Sequence, residues 1–233
     1  MARAGPTSAC DALRADSADI WGRLHAHPFV QELAAGTLPL EKFRLYIEQD
    51  LLFLPDYARA IGMAMGRARG YDELRQLVTQ AHIVVEREIG NERQLLSSVT
   101  DLMPATPTPV GALPATSTYG NWMLATASRG DALDVMVAQL PCAWSYADIA
   151  VVLGDKVADH PVYRDWFEFF GGDFYVSSIG YRRQVLDGLL APLGTARRRR
   201  HSELFATATR LELAFWDMAY GEDHNQQPTR EIV

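Results

Sequence analysis

Apolar residues recur every three to four positions along nearly the whole chain, the period of an amphipathic helix, and strand-type alternation is nearly absent. Asp16-Ser17 can cap a first helix whose apolar positions are Ile20, Trp21, Leu24, Phe29, Val30 and Leu33, with Gly36 as its stop. Pro39 opens a second, running through Phe43, Ile47, Leu51, Leu54 and Tyr57 toward Gly70 and bent at Pro55. The spacing predicts a third from Asp72 to about Leu96. Leu74, Leu77, Val78, Val84 and Val85 would turn inward, and Glu86, Arg87, Glu88, Glu92 and Arg93 mostly outward. A proline-rich loop follows. Further helices are predicted from about Ser117 to Ser128, Asp131 to Gly154, through Phe169 after the turn at His160-Pro161, Val176 to Leu190 and Ala196 to Tyr220. The fold class is therefore all-α: one multi-helical domain over residues 16–220, with flexible tails at 1–15 and 221–233.

Composition narrows the function classes. The chain has 233 residues, 48% of them hydrophobic, enough for one large core. A formal net charge of −7 argues against nucleic acid as partner, whose phosphates attract basic surfaces. The one basic cluster, Arg197 to Arg200, reads as a solvated helix start or a subunit contact. The first fifteen residues lack the apolar run of a secretory signal. The longest uncharged stretch, Leu102 to Ser128, contains Pro104, Pro107, Pro109 and Pro114, so no membrane span is expected there. Two cysteines, Cys10 and Cys142, make no disulfide framework, and the expected setting is reduced and cytoplasmic.

Pro141-Cys142 places a thiol where a helical run must bend. A proline there cannot donate to the carbonyl of Val137, so the kink leaves polar groups available to a ligand. The thiol can equally be a small buried hydrophobe. Asp50 shares its helical face with Tyr46, Ile47, Phe53 and Leu54, and Glu212 with Ala208, Thr209, Phe215 and Trp216. A carboxylate among such neighbours must be hydrogen-bonded or shifted toward its neutral form. Asp50 could satisfy a loop amide and Glu212 could pair with a buried arginine. Tyr119, beside Ala115, Thr116, Trp122 and Met123, could simply pack. Two inward carboxylates, a thiol and several phenols on different helices nevertheless make a ligand pocket the better account.

An ordered set of short strings carries a more specific signal. His27-Pro28-Phe29-Val30, Gly36-Thr37-Leu38-Pro39 with Phe43, and Tyr46-Ile47-Glu48-Gln49-Asp50 resemble the opening helices of the TenA/THI-4 (thiaminase II) family. Tyr119, Pro141 to Tyr146, Tyr163-Arg164-Asp165-Trp166 and Glu212 to Trp216 continue the resemblance over roughly residues 16–220. It implies a haem-oxygenase-like helical fold, no cofactor and no metal, a homo-oligomer with a tetramer favoured, and hydrolysis of an aminopyrimidine in thiamin salvage. By the same resemblance Asp50 holds the pyrimidine, Tyr119 stacks on it, Cys142 adds to the ring, Glu212 handles protons, and Tyr146 lines the pocket. A soft nucleophile suits an electron-poor heteroaromatic ring, and the leaving amine needs an acid.

The chain departs from the family pattern at two substrate-binding positions. Phe53 and Phe170 stand where many relatives carry tyrosine, so the rings remain and two hydroxyls are lost, each worth about 1 kcal/mol in a buried site. A pyrimidine between Tyr119 and Phe53, with Asp50 at its edge, is the arrangement to look for. Two other classes stay open. One is a haem or di-iron enzyme on the same scaffold, using His25 or His82 with Glu86. The other is a non-catalytic or divergent pyrimidine-binding protein.

Overall fold

The computed structural model describes residues 8–103 and 111–221. They form twelve α-helices and no strand: α1 (Ala9–Ala15), α2 (Ala18–Ala26), α3 (Pro28–Ala35), α4 (Leu40–Met65), α5 (Tyr71–His82), α6 (Ile89–Leu102), α7 (Pro114–Arg129), α8 (Ala132–Ala138), α9 (Leu140–Leu153), α10 (Tyr163–Gly171), α11 (Asp173–Leu190) and α12 (Thr195–Tyr220). A π-helical segment, Ile83–Glu88, joins α5 to α6. The long α4 packs on α5, α6, α7 and α12, and the core lies between these helices and α9 and α10.

Several boundaries differ from the sequence expectation. The start is not a flexible tail through residue 15. Ser8 caps α1 by accepting from the Asp11 amide at 3.1 Å, Cys10 is fully buried, and its amide donates to Asp187 at 2.8 Å. A short helix with one apolar face can dock when that face meets a groove, here between α11 and α12. Residues 1–7 and 222–233 lie outside the described residues, as does most of the proline-rich loop. The predicted first helix divides at Pro28, because the residue before a proline is driven out of the helical region. His27 is extended, with ψ 134°, and its Nδ1 accepts from the Phe29 amide at 3.1 Å, capping α3. Gly36 does stop α3, at φ 71°, and a Cβ there would lie 2.9 Å from that of Ala158.

The inward face predicted for the third helix, which the structure divides into α5, the π-helical segment and α6, is wrong in three of five positions. Leu74, Val78 and Val85 are 41%, 51% and 48% exposed, whereas Glu88 and Glu92, expected outward, are 6% and 0% exposed. The buried stripe runs through Glu73, Gln76, Leu77, Gln80, Val84, Glu88, Glu92, Leu95 and Val99, and its polar members are largely what hid it.

The chain from Ala132 to Lys156 is apolar and long enough to cross a membrane, yet 83% of its most apolar stretch is buried inside the protein. It is also broken at Gln139, with Pro141 in the first turn of α9. The polar groups opened by this kink have protein partners. Tyr57 donates its hydroxyl to the Gln139 carbonyl at 3.0 Å, the Gln139 amide donates to the Tyr57 carbonyl at 3.0 Å, and Arg182 donates to the Met136 carbonyl at 3.0 Å. At the start of α12, Arg197 pairs with Asp131, Arg200 with Asp134 and Arg199 with Glu203.

Candidate active site

Five helices deliver the predicted residues to one interior region. Asp50 and Phe53 come from α4, Tyr119 from α7, Cys142 and Tyr146 from α9, Phe170 from α10 and Glu212 from α12. All seven are buried. The centre is Glu212: Tyr119 donates its hydroxyl to Oε1 at 2.5 Å, and the Cys142 thiol donates to the same carboxylate. Tyr146 stacks on Trp216 with ring centroids 5.1 Å apart, and Phe170 meets Tyr146 edge-on at 4.9 Å. Phe170 is thus one ring removed from the thiol. Among the described residues Asp50 takes no loop amide; its neighbour Gln49 does so, accepting from the Leu113 amide at 2.9 Å.

Phe53 lies directly on Tyr119, with centroids 4.5 Å apart and planes at 28°. Two rings already in contact leave no layer between them, so the pyrimidine position looked for above is closed in this structure. A cleft of about 40 Å³ is lined by Tyr57, Glu88, Ala143, Tyr175 and Arg182 and runs outward between α5 and α11.

The electrostatics are those of an acid-rich interior. Burial pushes Glu212 up to about 7 against the opposing hydrogen bonds from Tyr119 and Cys142. Glu88 is also pushed up to about 7 by burial and then by Glu212, with the Arg182 guanidinium pulling the other way. Burial, then Glu88 and Glu212, raise Asp50 well above the usual carboxylate range; burial, then Asp50 and Glu88, do the same to Glu92. The Cys142 thiol is raised by burial and by Glu212, Glu88 and Asp50, so it is not a standing thiolate. Its first-turn position in α9 does not outweigh those carboxylates. What the arrangement can do is move a proton from thiol to Glu212 at the moment sulfur bonds to a substrate.

Comparison with known proteins decides the lineage, because residues 14–222 match the TENA/THI-4/PQQC family. The chain belongs to that family. The TenA-type relatives include an aminopyrimidine aminohydrolase of Halalkalibacterium halodurans, 34% identical over 208 residues that cover 87% of this chain and 91% of the relative. Among solved structures, a TenA homologue from P. horikoshii OT3 is 35% identical with a TM-score of 0.78, covering 92% of this chain and 99% of that one. A domain with a heme oxygenase-like fold from Shewanella denitrificans aligns at TM-score 0.66 and 14% identity over 91% of this chain and 92% of its own, a likeness of fold alone. The all-α fold is therefore the haem-oxygenase-like one.

Sequence reasoning missed Glu88, Glu92, Tyr46, Tyr57, Tyr175 and Arg182, all buried around the candidate site. The i, i+4 series Gln80, Val84, Glu88, Glu92 was the available signal, outweighed by Val85, exposed and one position from Val84. His25 bonds Asp148 at 3.0 Å away from this region, and His82 and Glu86 are exposed.

Proposed function

We propose that this chain is a thiaminase II-type hydrolase that releases hydroxymethylpyrimidine from an aminopyrimidine in thiamin salvage, with Cys142 as nucleophile. The observation that carries the reading is the convergence of the Cys142 thiol and the Tyr119 hydroxyl on one buried carboxylate, Glu212, held near 7. As sulfur bonds to a ring carbon, its proton passes to Glu212 and the electron pair moves onto ring nitrogen. The group on the exocyclic methylene then departs, water adds in its place, and the thiol is regenerated. Asp50, pushed toward its neutral form by burial and by Glu88 and Glu212, offers in that form one donor and one acceptor, the complement of a ring nitrogen beside an amino group. The relatives' name, aminopyrimidine aminohydrolase, supports the substrate class.

Release of hydroxymethylpyrimidine from aminomethylpyrimidine and from thiamin, followed chromatographically, tests the reading. Native protein should turn over the amine and Cys142→Ala should lose at least about a hundredfold. Equal rates for the two proteins would overturn the thiol's role, and no release from either substrate the function itself. A homo-oligomer belongs to the same reading. Exposed Leu52, Leu74, Val78, Val151, Val152 and Phe174 are the kind of surface that subunit contacts cover, and sedimentation should give a mass above the 25.9 kDa monomer.

A further inference from the structure

The cleft between α5 and α11 ends inside on a carboxyl that the mechanism above does not use. Glu88 and Ala143, the neighbour of Cys142, both line it, and Glu88 is 6% exposed. It owes its inward aim to the π-helical segment Ile83–Glu88, of which it is the last residue. The walls carry polar groups: Gln76, Thr79, Gln80, Ser178 and Tyr181. Gln76 is 3% exposed, and its Oε1 has no hydrogen-bond partner among the described residues. A buried acceptor without a partner on a cleft wall is costly unless something that donates comes there.

Resting on the function proposed above, we propose that this cleft is the subsite for the leaving group and that Glu88 is the acid that protonates a departing amine, while Glu212 serves the thiol. The step balances within the site. As the methylene–nitrogen bond breaks, its electron pair stays on nitrogen, and the proton held between Glu88 and that nitrogen ends on the amine. Glu88 is left as a carboxylate facing the Arg182 guanidinium, which Met136 and Gln80 hold in place at 3.0 Å each. The water that then bonds to the methylene returns a proton to Glu88. A space of about 40 Å³ accepts ammonia with a water or two.

Leaving groups that need no proton isolate this role. A quaternary nitrogen, as in thiamin or a smaller trimethylammonium analogue, departs neutral without an acid. Native protein, Glu88→Gln and Glu88→Asp are compared on aminomethylpyrimidine and on the quaternary substrates. Glu88→Gln should lose about a hundredfold or more on the amine and less than about fivefold on the quaternary substrate, and Glu88→Asp should recover part of the amine rate. A purely structural residue would lower both rates together. Equal losses, or none, overturn the assignment of Glu88 while leaving the proposed function standing. Absence of all turnover by native protein overturns both. If Glu88→Gln lacks native circular dichroism and a cooperative melt, the aspartate variant decides by the same ratio of rates.

Discussion

At the scale of single residues, Glu212 sets when the thiol can react. Its folded pKa is raised to about 7, so it is a neutral acid below that pH and a base above it. Only the ionised form can take the Cys142 proton. On a quaternary substrate, the rate should therefore climb about tenfold per pH unit up to about 7 and then level off. The amine substrate, which also needs the proton on Glu88, should give a bell with apparent values belonging to the pair. Glu212→Gln should remove the rising limb and about two to three orders of magnitude of rate; a limb that survives would sink this role. Asp50 and Glu212 were legible in the sequence because every neighbour three and four positions away is buried or bulky. Glu88 was not, since its helical neighbours include Val85, exposed, and Asn91 and Glu92, polar.

At the scale of elements, the two irregular joints position the chemistry. The break at Gln139 turns the first residues of α9 so that Cys142 faces α12, and Tyr57 of α4 fastens that break by donating to the buried carbonyl of Gln139. Tyr57→Phe should leave that carbonyl buried without its donor and lower stability by about 1–3 kcal/mol, read from urea unfolding with an unchanged slope. A shift below about 0.5 kcal/mol would mean that water or another donor replaces the hydroxyl. Pro141 announced this break, and Pro28 could have announced the one before α3. The π-helical joint left no such mark: Ile83 to Glu88, which packs on α4, contains no glycine or proline.

At the scale of the whole molecule, Asp50, Glu88, Glu92 and Glu212 are all buried, with the Arg182 guanidinium acting on Glu88, and the stability of the fold is tied to their protons. Glu88 and Glu212 rise from 4.5 to about 7 on folding, so between those values the folded chain holds protons that the unfolded chain has released. Stability must then fall as pH rises from about 4.5 to about 7, by a few kcal/mol in all, and level off above. Asp134 and Asp148 act in the opposite sense: burial would raise them, but hydrogen bonds from His201 and Arg200, and from His25 and Trp21, hold both below the usual range. Their contribution is lost as pH falls below about 4, which places the melting maximum near pH 5. Glu92 is the acid whose removal separates stability from chemistry. It is fully buried, and neither carboxyl oxygen has a hydrogen-bond partner among the described residues. Glu92→Gln should raise the melting temperature at pH 8, leave it nearly unchanged at pH 5, and so flatten the slope between them. Calorimetric melts at the two pH values check this, and a variant that is less stable at pH 8 would mean that Glu92 is balanced by a cation. Ionisation of Glu212 thus favours reaction at the pH where burial of the acids costs the fold most, and a bound pyrimidine that donates to them is the natural offset: product should raise the melting temperature more at pH 8 than at pH 5.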